Sequence, residues 1–168
     1  MTGLAARLSA ELSGRVCVMG LGNEQLGDDA FGMKLARLLQ AGGCLDVLLA
    51  GTTPEQCVNS ESLASYDHLV FLDATNFGGA PGAVVWLSSA EIESRFPQIS
   101  THKLSMGLLA RLVEHGRQTK AWLLGAQPAS LEFGAELSPP LQTTLAILAE
   151  LLGSILLPRH LQPAMVIP

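Results

Sequence analysis

Apolar runs that end in glycine or in a turn alternate along this chain with segments of helical periodicity. Strands are predicted at residues 15–22, 45–51, 68–74, 82–88 and 119–126. Helices are predicted at residues 28–43, 54–63, 101–115 and 138–157, with a short leading helix over 1–13 and a loose tail over 158–168. This alternation is typical of a sheet that helices cover on both faces. The pattern therefore predicts a single α/β domain over 1–168 with a mostly parallel, buried sheet.

The loop over 75–82, TNFGGAPG, joins the third and fourth predicted strands. Parallel neighbours need a crossover connection of a dozen or more residues, and this loop is too short to hold one. We therefore expect the strand at 82–88 to run antiparallel to its neighbour in the sheet.

Composition narrows the classes of partner. Of the 168 residues, 48% are hydrophobic and 15% are charged, and the formal net charge is -5. No cluster of Lys and Arg is present, so nucleic acid is not an expected partner. The most hydrophobic stretch, residues 141–157, contains polar side chains and is slightly short for a bilayer. We expect it to pack in the core and not to span a membrane.

The cysteines indicate a reducing compartment. Cys17, Cys44 and Cys57 are odd in number and none belongs to a CxxC pair, which argues against a disulfide framework or a structural zinc site. Buried free thiols are the expected state. The first residues include Glu11 and no long apolar run, unlike a signal peptide. These features predict a cytoplasmic protein.

Three glycines lie at the end of the first predicted strand and in the turn after it: Gly20, Gly22 and Gly27. Their spacing is not G-x-G-x-x-G, and no Walker lysine follows them. The two carboxylates that end the segment would repel a phosphate group. We interpret the glycines as the means of a tight strand-to-helix turn, in which Asn23 tolerates a left-handed backbone.

Acidic residues follow the first and third predicted strands, and ligands of α/β sheets bind beyond the carboxyl ends of the strands. Asp28 and Asp29 open a helix, and Asp73 closes the run LVFLDA. If Asp28 is the N-cap, Asp29 lies ionised in the first turn, where it is a candidate metal ligand. A carboxylate that ends a buried strand needs a partner or a function. For Asp73, the partner would be Thr75 or Asn76 in a turn contact, and the function would be to bind a metal ion.

His102 is the histidine with the most suggestive position. It lies at the predicted start of the helix over 101–115, where a helix N-terminus disfavours the cation and a neutral imidazole suits metal ligation. The alternative is a first-turn residue exposed to water. The other histidines are expected at the surface: His68, His115 and His160.

Nucleophilic catalysis finds little support. No G-x-S-x-G elbow exists, and Cys17 lies inside a predicted strand, a poor place for an attacking thiolate. Two carboxylates and one imidazole, Asp29, Asp73 and His102, form the better constellation. Such a set suits nickel, iron, zinc or manganese with open positions for water or substrate.

Five segments of the chain resemble, in order, those of the [NiFe]-hydrogenase maturation endopeptidases, which trim the C-terminal extension from a hydrogenase large subunit. They are GLGNEQLGDDAFG (20–32), GTTPE (51–55), VFLDATNFGGAPG (70–82), STHKLSMGLL (100–109) and GAQPASLEFGAELSPPL (125–141). The resemblance implies a three-layer sandwich, with a twisted five-stranded sheet and helices on both faces. It also implies that Asp29, Asp73 and His102 contact metal. Ala30 stands where the family often has glycine.

The resemblance further implies that nickel arrives already bound to the cysteines of the precursor of the large subunit. Three ligands without a thiolate make a weak site by themselves, which agrees with nickel supplied by the substrate. Whether the metal polarises the scissile carbonyl or a metal-bound water attacks it stays open.

Two other functions also stay open, because the fold alone separates none of the three. One is a non-catalytic metal-binding escort protein for a maturing metalloenzyme. The other is a conventional metal-dependent hydrolase of small substrates. The sequence specifies neither the hydrogenase that is processed, nor the cleavage position, nor the oligomeric state.

Overall fold

A computed structural model of the chain describes residues 2–95 and 105–157. Five strands form one sheet: β1 (Val16–Leu21), β2 (Val47–Gly51), β3 (His68–Ala74), β4 (Val84–Ser88) and β5 (Lys120–Ala126). The helices within these ranges are α1 (Thr2–Glu11), α2 (Phe31–Ala41), α3 (Glu55–Val58), α4 (Ser89–Arg95), α5 (Met106–Glu114) and α6 (Pro139–Leu156). Short 3-10 turns cover Gly27–Ala30 and Glu61–Ser65.

The sheet has the strand order β2-β1-β3-β5-β4. β1 is parallel to β2 and β3, and β3 is parallel to β5, so four strands share one direction. β4 runs antiparallel to β5, with Trp86 opposite Leu124. The prediction of a mostly parallel sheet with one antiparallel strand is confirmed. That strand pairs with β5 and not with β3, which precedes it in the sequence.

Helices cover both faces of the sheet, and each face has its own apolar cluster. On one face α1, α2 and α6 pack against strand residues that include Val18 and Leu72. On the other face α3, α4 and α5 pack against Met19 and Phe71. Successive residues of a strand point to opposite faces, so each strand supplies both clusters. The three-layer α/β sandwich is confirmed.

α6 takes the place of the helix predicted at 138–157. By length and composition alone it could cross a membrane. One side of it is held in the core, because Leu141, Leu148 and Leu152 are buried in the cluster shared with α2. Thr144 Oγ1 also donates a 2.7 Å hydrogen bond to the carbonyl oxygen of Gly82. These contacts agree with the prediction of a core-packing helix.

α5 begins later than predicted. Ser105 has an extended backbone (φ -65°, ψ 148°), and its hydroxyl accepts a hydrogen bond from the Leu108 N–H, which makes it the N-cap. The prediction that this helix starts at residue 101 is therefore wrong. Residues 96–104, and the predicted tail over 158–168, lie outside the described residues.

α4 is absent from the predicted elements although the sequence carries its signal. The Glu91 carboxylate accepts hydrogen bonds from the backbone N–H and the hydroxyl of Ser88, at 2.9 and 3.0 Å. Serine followed three residues later by glutamate is the capping-box pattern. The pattern at 88–91 could therefore have predicted this helix start.

Candidate active site

The turn between β1 and α2 is built around a glycine that no other residue can replace without strain. Gly22 has φ +111°, and a Cβ on it would lie 1.8 Å from the carbonyl oxygen of Asp29. The tight turn predicted from the glycines is therefore present. Asn23 does not have the predicted left-handed backbone. Its N–H instead donates a 2.6 Å hydrogen bond to Asp29 Oδ2.

A second glycine sets the start of α2 directly on the sheet. A Cβ on Gly32 would lie 2.0 Å from the Leu72 carbonyl oxygen and 2.6 Å from the Leu21 carbonyl oxygen. Only a residue without a side chain allows this approach. The helix therefore begins over the carboxyl ends of β1 and β3, and the 3-10 turn that precedes it contacts β3.

Asp73 lies on β3 at this same end of the sheet, opposite Gly125 of β5. It is 6% exposed, and Asp29 on the adjoining 3-10 turn is 4% exposed. Thr75 Oγ1 lies 3.4 Å from Asp73 Oδ2 and donates a hydrogen bond to it, which is the turn contact expected from the sequence. Two of the three candidate metal-contacting residues thus lie at the carboxyl end of the sheet, on elements that touch each other.

His102 lies outside the described residues, so its position relative to the two aspartates is still a prediction. Within residues 2–95 and 105–157, no three His, Cys, Asp or Glu side chains form a group that could hold a metal ion. A site of two carboxylates and one imidazole needs a ligand from beyond these ranges. Carboxylate oxygens are ligands that divalent ions accept, and an ion that brings further ligands of its own would fit this donor set.

Asp28 has a role that the sequence did not indicate. The N-cap of α2 is Ala30 and no side chain caps the helix, so the alternative in which Asp28 is the N-cap does not hold. The buried Asp28 carboxylate instead accepts four hydrogen bonds from the loop over 128–138. The donors are Ala129 N (2.7 Å), Ser130 N (3.0 Å), Ser138 N (2.7 Å) and Ser138 Oγ (2.9 Å). Burial alone would raise the pKa of Asp28, but these hydrogen bonds outweigh it and lower that pKa below its usual value.

Gln127, directly after β5, holds a second loop at the carboxyl end. Its Oε1 accepts hydrogen bonds from the Phe77 and Gly79 N–H groups at 2.9 and 3.1 Å, and its Nε2 donates to Asn76 Oδ1 at 3.2 Å. The side chain is 7% exposed. The loop that follows Asp73 is therefore fixed to the end of β5. The segment GAQP was recognised in the sequence, but nothing in its spacing revealed this contact.

The amino end of the sheet holds a different polar cluster. His68 is buried at the start of β3, so its predicted surface position is wrong, whereas His115 is exposed as predicted. The Trp122 indole N–H donates to His68 Nδ1 at 3.0 Å, and burial lowers the pKa of His68. Trp86 stacks on Trp122 with centroids 4.9 Å apart, and its indole N–H donates to Glu11 of α1. A cavity of about 640 Å³ borders this cluster.

The cysteines offer no activated thiol in the described residues. Cys17 and Cys44 are buried, and Cys57 is partly buried. Burial raises the pKa of Cys17 to about 12, and it also raises the pKa values of Cys44 and Cys57. At neutral pH these thiols stay protonated, which agrees with the prediction against cysteine nucleophiles.

Comparison with known sequences gives one consistent result. The sequence model of the HycI family, hydrogenase maturation protease, matches residues 31–155. The chain is 31% identical over 152 residues to the hydrogenase 2 maturation protease of Escherichia coli (strain K12). That alignment covers 81% of this chain and 92% of the relative.

Solved structures agree with the sequences. The [NiFe] hydrogenase maturation protease HycI from Thermococcus kodakarensis KOD1 superposes with a TM-score of 0.77 at 32% identity, over 89% of this chain and 98% of that one. The hydrogenase maturating endopeptidase HybD from E. coli gives a TM-score of 0.69 at 26% identity, over 83% and 90%. The family and the fold implied by the resemblance of the five segments are thereby confirmed.

Proposed function

Because the chain belongs to the hydrogenase maturation protease family, and is by that membership an endopeptidase, we propose that it removes the C-terminal extension of a [NiFe]-hydrogenase large-subunit precursor after nickel insertion. One observation supports the assignment of this activity to particular residues. Asp29 and Asp73 are buried carboxylates at the carboxyl end of the sheet, on elements that contact each other. Together with His102 they are the proposed contacts to nickel and the catalytic residues.

Nickel is a part of the substrate in this proposal. Two carboxylates and one imidazole contain no thiolate, and carboxylates favour harder ions than nickel. A site of this composition holds nickel weakly until the precursor brings the metal and its own cysteine ligands. The protease then acts only on precursor that carries nickel, and it does so in the cytoplasm, where the precursor matures.

The chain contributes orientation around the metal. The Asn23 N–H fixes one oxygen of Asp29, and the Thr75 hydroxyl contacts one oxygen of Asp73. The carboxylates are thus held before substrate arrives, which limits the reorganisation needed for reaction. When bound, the metal would supply Lewis-acid chemistry at the scissile peptide bond.

The test compares two mixtures by intact mass. Metal-free protease is added to nickel-loaded precursor, and nickel-treated protease is added to precursor that never received nickel. Cleavage in the first mixture alone is the expected result. Equal cleavage in both mixtures would contradict the recognition of nickel in the substrate and favour a conventional metallohydrolase. A precursor that binds in the first mixture and keeps its full mass would contradict the proteolytic function.

A further inference from the structure

The loop over 128–138 exposes two large apolar side chains beside the candidate active site. Phe133 is 72% exposed and Leu131 is 45% exposed. The loop follows the carboxyl end of β5, and its backbone surrounds the Asp28 carboxylate. Exposure of a phenylalanine to this extent leaves apolar surface in water that contact with another molecule would bury.

Phe133 is exposed on a loop that is tied to the body of the protein. Phe133 forms an antiparallel bridge with Leu26, and the Gly134 N–H donates a 2.8 Å hydrogen bond to the Gln25 carbonyl. The Asp28 N–H also donates to the Ser130 carbonyl at 3.0 Å. The backbone that carries the Phe133 ring is therefore fixed in the free protein. An anchor of this kind loses little conformational freedom when a partner binds.

The bridge also joins the exposed loop to the candidate active site. Leu26 pairs with Phe133 on one side, and its carbonyl accepts a 2.9 Å hydrogen bond from the Asp29 N–H on the other. Phe133 and Asp29 are thus each joined to Leu26 by a backbone contact. A protein whose chain reaches Asp29 is placed to contact Phe133 as well.

We propose that Phe133, with Leu131, is a docking anchor for the hydrogenase large-subunit precursor, which would receive the ring in an apolar pocket bordered by basic residues. This inference rests on the proposed function. The anchor is flanked by two exposed acids, Glu132 and Glu136, in a chain of net charge -5, and Glu136 pairs with Lys34 at 3.1 Å. A second copy of this chain would set Glu132 against its own equivalent, which disfavours self-association through this surface.

Leu45 supplies a matched control. It is 90% exposed, and it precedes β2, so it lies at the amino end of the sheet, away from the loop over 128–138. Its replacement removes exposed apolar surface without touching the proposed anchor. Phe133→Ala and Leu45→Ala both change solvent-exposed side chains, and both variants are expected to melt within about 2 °C of the parent.

Binding is measured by rapid mixing with Asp29, Asp73 and His102 unchanged, so that association is complete before cleavage consumes the complex. The probe is each [NiFe]-hydrogenase large-subunit precursor encoded in the same genome, loaded with nickel. Phe133→Ala is expected to weaken the Kd at least about tenfold, as removal of an aromatic hot spot does. Leu131→Ala should weaken it about threefold, and Leu45→Ala should leave it within about twofold.

Each outcome decides the inference separately from the proposed function. Equal Kd values for Phe133→Ala and Leu45→Ala would overturn the anchor, and so would failure of the protein with Phe133 and Asp73 both intact to bind any of the precursors. Cleavage by the wild-type protein is scored in parallel. Cleavage with equal Kd values leaves the function standing without the anchor. Weakened binding by Phe133→Ala without wild-type cleavage supports the anchor and rejects the protease function.

Discussion

The two ends of the sheet both bury polar side chains, but they do so in different ways. At the amino end, side chains satisfy one another: Trp122 donates to His68, and Trp86 donates to Glu11. At the carboxyl end, the described carboxylates accept mainly from the backbone of loops, as Asp28 does from the loop over 128–138. The amino end joins a helix to the sheet, whereas the carboxyl end fixes loops around acids.

The comparison teaches that burial of a polar group does not by itself identify a functional site. His68 and Asp29 are equally hidden, at 5% and 4% exposure. The difference lies in the backbone around them. A side chain on Gly22 would collide with the Asp29 carbonyl, and one on Gly32 would collide with the sheet. This close approach places Asp29 at the carboxyl ends of β1 and β3. Close backbone approach around an acid distinguishes the candidate site from the amino end better than burial does.

Removal of the carboxylate charge at the carboxyl end should give the largest effect. Asp29→Asn and Asp73→Asn are each expected to lower the rate of precursor cleavage about a thousandfold, roughly 4 kcal/mol in the barrier. Both variants should fold, because asparagine keeps an oxygen that can accept from Asn23 or Thr75. The measurement is initial rate by intact mass, with thermal melting beside it.

Asp67→Asn is the control from the amino end. Asp67 Oδ2 accepts a 2.7 Å hydrogen bond from the Arg15 N–H, and asparagine retains that acceptor. Its cleavage rate should match that of the wild-type protein. A near-normal cleavage rate for Asp29→Asn or Asp73→Asn would show that the residue does not belong to the proposed site. A lower cleavage rate for Asp67→Asn would show that the two ends of the sheet do not differ in function.

Asp28→Asn should lower stability more than any change at its neighbour Asp29. Loss of the charge weakens four hydrogen bonds and leaves buried N–H groups poorly satisfied, at a cost of about 3 kcal/mol. For a chain of this length that corresponds to a decrease in Tm of about 6–12 °C. Calorimetry of Asp28→Asn and Asp29→Asn side by side provides the measurement. Equal melting temperatures would show that the loop does not depend on the Asp28 charge.

The pH dependence of Asp28 follows from the direction of its pKa shift. Its pKa is lowered in the folded protein. Its contribution to stability is therefore complete above the unfolded value of about 4 and is lost as pH falls through the folded pKa. In Asp28→Asn this part of the acid denaturation should be absent, so the two curves of unfolding free energy against pH should converge below about pH 4.

His68 should give the smallest effect, at the amino end and at milder pH. Burial lowers its pKa in the folded state, so stability is complete above the unfolded value of about 6.5 and declines as pH falls below it. Urea denaturation at pH 7 and pH 5 should show a loss of at most about 2 kcal/mol from this residue. In His68→Gln the difference between the two pH values should shrink by that amount. An unchanged difference would mean that His68 is not the group that titrates.

Much of the fold could be predicted because local patterns specify it. The apolar run that ends at Asp73 defines β3, and the short loop over 75–82 makes β4 antiparallel. Both candidate carboxylates were selected for the same reason, since Asp73 lies at the end of a strand and Asp29 lies between a strand and the helix that follows it. The position of an acid at a strand end is a local property of the sequence.

What could not be predicted depends on residues far apart in the chain. Asp28 resembled a helix cap in the sequence, but its partners lie 101 to 110 residues away in the chain. A local sequence pattern contains no information about contacts at that separation. His68 looked like a surface residue because it stands at the start of a strand, yet its partner Trp122 comes from β5. Whether His102 joins Asp29 and Asp73 is still a prediction, because His102 lies outside the described residues.

The stacked indoles have a practical consequence for spectroscopy. Trp86 and Trp122 are the two tryptophans of the chain, and their rings lie within 6° of parallel. All tryptophan emission therefore originates from one coupled pair near the contact with α1. Intrinsic fluorescence and near-ultraviolet dichroism report the attachment of that helix. Neither tryptophan lies at Asp29 or Asp73, so a fluorescence assay of substrate engagement there needs an introduced fluorophore.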